Sequence, residues 1–178
     1  MPPAMRGTYL GEEFIMPAYL ARAALATIAV IIATPASAQT LARKDISAEA
    51  AMTIASTAIA DCKAKGWNVS VAVVGRSGEL IAHVRGDNTG PHTMDNSFRK
   101  AYTARTFRSP SGDLVKRLKD NPQLSLVTLP NVVAGEGALP IKVGDDVIGA
   151  AGASGAPGGE KDAACIQTGL DKIKDKLN

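Results

Sequence analysis

The chain has 178 residues, of which 46% are hydrophobic and 21% charged, with a formal net charge of +3. That balance excludes wholesale disorder and suits a single domain. Aromatic residues make up only 4%, which argues against a nucleic-acid binder built on base stacking and leaves Ala, Val, Ile and Leu to form the core.

Residues 1–38 read as a signal peptide with an upstream extension. An apolar run from Ala23 to Ala33 follows Arg22 and is stopped by Pro35, and Ala36-Ser37-Ala38 has the small-x-small form of a cleavage site before Gln39. The run falls short of the ~20 apolar residues of a membrane span. Met16 is a candidate true start, because Met16 to Arg22 makes the better basic n-region. Export to the periplasm or the extracellular space is therefore expected. Residues 39–45 form a short leader, and 46–178 the folded domain. Segment 92–120 holds seven Lys and Arg against three Asp, a net charge of +4, so it carries the whole positive excess of the mature chain. It is either a solvated helix face or a site for an anionic partner.

Ser47 to Lys65 has helical periodicity, with Ala51, Ala55, Ala58, Ile59 and Cys62 on one stripe, Ser47 as N-cap and Gly66 as stop. A stripe so rich in alanine requires close approach to the sheet, the last helix or another subunit. Val69 to Val74 and Leu80 to Arg85 form a hairpin around Gly75-Arg76-Ser77-Gly78. His92 to Arg108 is a second helix, broken by Pro110. Ser111 is expected to cap a short third helix ending at Asn121-Pro122. Ala138 to Val143 and Val147 to Ser154 form a second hairpin, and Glu160 to Leu177 a last helix with the stripe Ala163, Ile166, Leu170, Ile173 and Leu177. Two hairpins with interspersed helices give an α+β fold on an antiparallel sheet.

The chain has no GxGxxG, Walker A, HExxH or GxSxG pattern, which weakens nucleotide-dependent, zinc-protease and hydrolase readings without excluding other enzymes; a binding protein is expected over an enzyme. His83 and His92 are the only histidines, and either is a candidate ligand for a transition metal or haem iron. Gly152 to Gly159 enters the last helix, where exposed amides suit an anion, or else serves as a connector. Cys62 lies at the centre of its helical stripe and Cys165 at the flank of its own. The favoured reading is two small core residues, with a disulfide as the alternative.

Gly90-Pro91, Arg99-Lys100-Ala101-Tyr102-Thr103-Ala104 and Asp113-Leu114-Val115-Lys116-Arg117-Leu118 resemble the GlcG/HbpS family, the haem-degrading domain related to the C-terminal part of PduO-type cobalamin adenosyltransferases. Gly135 to Ile141, Val147 to Pro157 and Asp162 to Cys165 follow in the same order. The resemblance spans about Ile46 to Ile173. It implies a profilin-like fold, a five-stranded antiparallel sheet flanked by helices, and assembly into homo-oligomers. It further implies haem binding outside the cytoplasm, in partnership with a membrane sensor. The family's threonine contact to haem maps to Thr103, with Thr106 and Ser111 as alternatives. Arg99, Lys100 and Arg105 would then take the propionates, and Met94, Phe98 and Tyr102 the macrocycle. The competing expectations are a non-catalytic binder of a small 2-hydroxy acid, held by the Gly152–Gly159 stretch and Arg99, and a ligand-free oligomeric scaffold.

Overall fold

A computed structural model describes residues 39–177. The expected signal peptide lies outside the described residues, and the compact unit among those residues begins at Arg43. Helix α1 spans Ala48–Ala64, its first turn closed by the Ser47 hydroxyl, which accepts a hydrogen bond from Ala50 N at 3.2 Å. Strands β1 (Ser70–Val74) and β2 (Leu80–Val84) follow, then α2 (His92–Phe107) and α3 (Gly112–Asp120). A 3₁₀ turn at Ser125–Thr128 leads to β3 (Ala138–Val143), β4 (Asp146–Ser154) and α4 (Gly159–Ile173), with a final 3₁₀ turn at Lys174–Lys176.

The strands form one antiparallel sheet in the order β2-β1-β4-β3. Both expected hairpins are present, and β1 pairs with β4 to join them. The sheet has four strands among the described residues, where the resemblance implied five. Every residue of β1 is buried, as expected of a central strand covered on both faces. Val71, Val73, Ala151 and Ala153 face the layer formed by α1 and α4, whereas Ala72, Val74 and Ala150 face α2. The period-two alternation of the strands thus separates two cores.

Small residues set the spacing in both. A Cβ on Gly169 of α4 would lie 2.6 Å from Ile54 O of α1, and one on Gly152 of β4 would lie 2.6 Å from Ser97 O of α2. The alanine-rich face of α1 therefore meets the last helix, one of the three neighbours its composition allowed. Ile54, rather than Ile59, completes that buried face.

Three local expectations are corrected. The cysteines do not stay separate: Cys62 and Cys165 form a disulfide between α1 and α4, with Cα atoms 5.6 Å apart. Cys165 reaches it because the buried face of α4 is centred on Asp162, Cys165, Ile166, Gly169 and Ile173, not on the flanking Ala163 and Leu170. Closing a 103-residue separation is worth about 4–5 kcal/mol in the chain-entropy account. Ser111 does not cap α3; its hydroxyl accepts from Ala138 N at 3.0 Å and its own N–H donates to Ala138 O, tying the helix start to β3. The last helix loses α geometry at Ile173, four residues before the expected end.

Candidate functional site

Helix α2 begins at the wall of a cleft of about 420 Å³, whose lining includes Trp67, Asn68, Asn88, Thr89, His92 and Gly155. Its volume lies within the roughly 300–1,000 Å³ typical of small-molecule sites. Three separate segments meet there: the end of α1, the 86–91 loop and the loop after β4. Gly155 (φ +135°) permits the last approach, since a Cβ at that position would sit 2.2 Å from Asn68 O. The floor is a buried hydroxyl cluster. Ser70 Oγ lies 2.8 Å from Thr93 Oγ1 and 3.2 Å from Thr89 Oγ1, while the two threonines donate to Gly90 O and Gly86 O. These bonds hold the 86–91 loop to β1 and fix the first turn of α2.

His92 is exposed on this wall, its ring against the Gly90 backbone. Trp67 is half-buried; its backbone N–H donates to Cys62 O at 2.9 Å, so the disulfide-linked end of α1 sets its position. Lys161 Nζ sits 5.4 Å from the Trp67 ring centroid, in cation–π range. An imidazole and an indole thus border one open cleft, and an ammonium lies over the indole ring. That set of groups fits a haem edge: the imidazole is an axial-ligand type, the indole an apolar face, and the ammonium a counterion for a carboxylate. Trp67 was not anticipated as a site residue. The available signal was that it is the chain's one tryptophan, placed directly after the helix-stopping Gly66.

The other expected site residues do not share this cleft. His83 sits on β2, half-buried, with Nε2 2.9 Å from Met94 O and 3.3 Å from Ser97 Oγ. Because a carbonyl only accepts, Nε2 carries the proton and donates to it. Arg99 donates to Val132 O at 3.0 Å and lies 3.8 Å from Asp95. Phe98 and Tyr102 are half-buried with ring centroids 5.9 Å apart. Tyr102 and Arg105 line a separate small concavity. With 1.5 Å of rise per residue, Arg105 lies about 20 Å along α2 from His92.

Two of the expected ligands are buried. Thr103 is fully buried: its hydroxyl donates to Arg99 O at 2.8 Å and accepts from Val133 N at 3.0 Å. It anchors the 132–133 segment and presents no oxygen to a surface ligand. Of the two alternatives, Ser111 is buried against β3, and Thr106 is exposed and donates to Tyr102 O at 2.8 Å. Lys100 is likewise engaged within the protein. Its Nζ donates to Asp162 Oδ2 at 2.8 Å and to Ala153 O at 3.2 Å, with only 7% and 3% of the two charged side chains exposed. Asp162 Oδ1 also accepts from Ala156 N at 3.0 Å. Burial pushes the Asp162 carboxyl above the ordinary carboxylate range, and Lys100 and the Ala156 N–H draw it back only in part. The pair ties α2 to the start of α4 and pins the glycine-rich loop that closes the cleft. Among the described residues, no group of three or more His, Cys, Asp or Glu gathers to hold a metal ion.

A family model described as "Haem degrading protein HbpS-like" matches residues 46–171. Among curated proteins, the chain is similar to Protein GlcG of Escherichia coli K12, 30% identical over 109 residues, covering 61% of this chain and 81% of that protein. The crystal structure of HbpS superposes with a TM-score of 0.72 at 30% identity, covering 76% of this chain and 94% of that one. A double mutant of Streptomyces reticuli HbpS gives 0.70 at 32% identity, covering 78% and 99%. A PduOC:heme complex shares the fold, with a TM-score of 0.66 at 20% identity over 72% of this chain and 94% of that one. The matched span takes in both hairpins, helices α1 to α3 and α4 up to Asp171, and on that evidence the chain is a member of the HbpS-like family.

Proposed function

We propose that this protein is an exported haem-binding protein whose docking place is the cleft between Trp67 and His92. The observation that carries the reading is an exposed imidazole on the wall of a cleft beside the chain's one tryptophan, in a member of a haem-degrading family. His92, through its imidazole, and Trp67, through its indole ring, would hold the group, with the Lys161 ammonium beside the indole as a counterion for a carboxylate. Haem bound there would supply iron for ligand exchange and electron transfer. The protein's own part is to hold the macrocycle by one edge in an open cleft, which suits sequestration or delivery over a permanent prosthetic group. The signal-like residues 1–38 support placing this activity outside the cytoplasm. Family resemblance supports homo-oligomers and a membrane sensor as partner.

Hemin titration of the full chain tests the reading. A Soret shift that saturates at one haem per chain is expected, together with quenching of Trp67 emission, and His92→Ala displaces the Soret maximum and weakens binding. An unshifted Soret band at excess protein defeats it.

A second reading rests on the polar lining of the same cleft. Asn68, Asn88 and Thr89 suit a small hydroxy acid. Arg99 is elsewhere, so the carboxylate would meet the Gly155 loop. Thermal-shift measurements against a panel of 2-hydroxy acids separate the readings: stabilisation without a hemin response selects this one.

A further inference from the structure

Beyond the cleft, α2 borders a second concavity at its C-terminal end. It has a volume of about 110 Å³ and is walled by Arg76, Ser77, Gly78, Tyr102, Arg105 and Thr106. Its two guanidinium groups are in opposite states. Arg76, on the β1–β2 turn, uses its donors within the protein: Nε and Nη2 reach Lys44 O at 3.0 and 2.7 Å, and Nη1 and Nη2 reach the Asp146 carboxylate at 3.0 and 2.6 Å. Arg105 makes no ion pair or side-chain hydrogen bond among the described residues, and its Nε is buried with no acceptor.

The neighbouring carboxylates are already committed. Asp146 is held bidentately by Arg76, and Glu79 Oε2 accepts from Ser77 N at 2.8 Å. Burial and the repulsion of Arg108 and Arg76 both disfavour the Arg105 cation. The concavity is well below the size of ordinary organic-ligand sites and has room for one small oxyanion. A guanidinium fork matches the geometry of that group.

We propose that this concavity binds a small oxyanion, a carboxylate or a phosphate, through the Arg105 guanidinium, between the Tyr102 ring and the Arg76–Asp146 pair. The site is independent of the haem reading, since it lies about 20 Å along α2 from His92. The anion accepts from the guanidinium, which has no ion pair among the described residues, and offsets its charge beside Arg108. Arg76 acts as a fixed wall, because its own partners hold it in place.

Titration of the full chain with inorganic phosphate, and separately with acetate, tests the site through the Tyr102 ring resonances in a chloride-free buffer. At least one anion should shift them saturably, and the tighter of the two identifies the ligand class. Arg105→Gln should weaken that binding at least tenfold, whereas His92→Ala leaves it unchanged. Arg105→Lys keeps the charge without the planar fork and should bind several-fold more weakly, and a dispersed methyl spectrum verifies that each variant is folded. Unsaturable shifts with both anions, or undiminished binding in either folded Arg105 variant, overturn the proposal.

Discussion

The two flanks of α2 put the same kind of residue to different uses. On one, Lys100 is buried against Asp162 and the β4 backbone, and Thr103 is buried against the 132–133 segment. On the other, Phe98, Tyr102 and Arg105 form a half-exposed surface in which the guanidinium has no partner among the described residues. At roughly 100° per residue, Phe98, Tyr102 and Arg105 fall within about 60° of one another, while Lys100 and Thr103 lie roughly 130–170° away. A net charge of +4 over residues 92–120 therefore does not describe one cationic face. One lysine is a structural strut, one arginine is available to a ligand, and the first residue of the same helix belongs to a third place, the cleft.

The contrast is tested most severely at the strut. Lys100→Met leaves the Asp162 charge buried without its partner and should cost about 3–5 kcal/mol, read by denaturant unfolding. A loss under 1 kcal/mol would mean that the pair does not hold α2 to α4. Next in size, Gly152→Ala drives a methyl toward Ser97 O and Ala101 N and should cost about 1–3 kcal/mol, because α2 has to lift from the sheet.

Acid titration separates the two carboxylates that face cations. The hydrogen bond from Arg76 holds Asp146 below the ordinary range. Its contribution is present above the unfolded pKa of about 3.9 and is lost as pH falls through the lower folded value. Asp162 has the opposite sign. Its raised folded pKa means that the native state binds the extra proton, so its contribution to stability declines as pH rises from about 3.9 through that higher value. Arg76→Gln should therefore flatten the loss of stability below about pH 4; an unchanged acid limb would show that Asp146 titrates normally beside Arg76. The smallest effect belongs to Arg105→Gln, which should change stability by no more than about 0.5 kcal/mol, since the native state gives that guanidinium no partner to lose.

Much of the fold was legible in local patterns. Ser47, Gly66 and the Gly75–Gly78 turn each announce an element within a few residues. Ion pairing and packing were not, because they join distant positions. Lys100 is 62 residues from Asp162, and nothing in its surroundings marks it as the buried cation among the seven basic residues of its segment. The disulfide depends on how α1 and α4 meet at Gly169 and Ile54. Cys165 was misplaced because the stripe on α4 was read from its large residues, whereas the buried face includes Asp162 and Gly169. Within the candidate site, His92 was recognisable as a rare residue type at a helix start. Its companion Trp67 comes from another segment, and only the close approach of the Gly155 loop brings the two to one cleft. The separation of Thr103 and Lys100 from Arg105, by contrast, was already encoded in helical spacing, and the resemblance to a family motif masked it.

Hemin binding by the parent chain, compared with His92→Ala, Thr103→Val and Arg105→Gln, tests the central claim most directly. With haem docked at the Trp67–His92 cleft, His92→Ala weakens binding at least tenfold and moves the Soret maximum, while folded Thr103→Val and Arg105→Gln bind as the parent does. Undiminished binding by His92→Ala, with loss in Thr103→Val or Arg105→Gln, would move the haem to the other end of α2 and contradict the account.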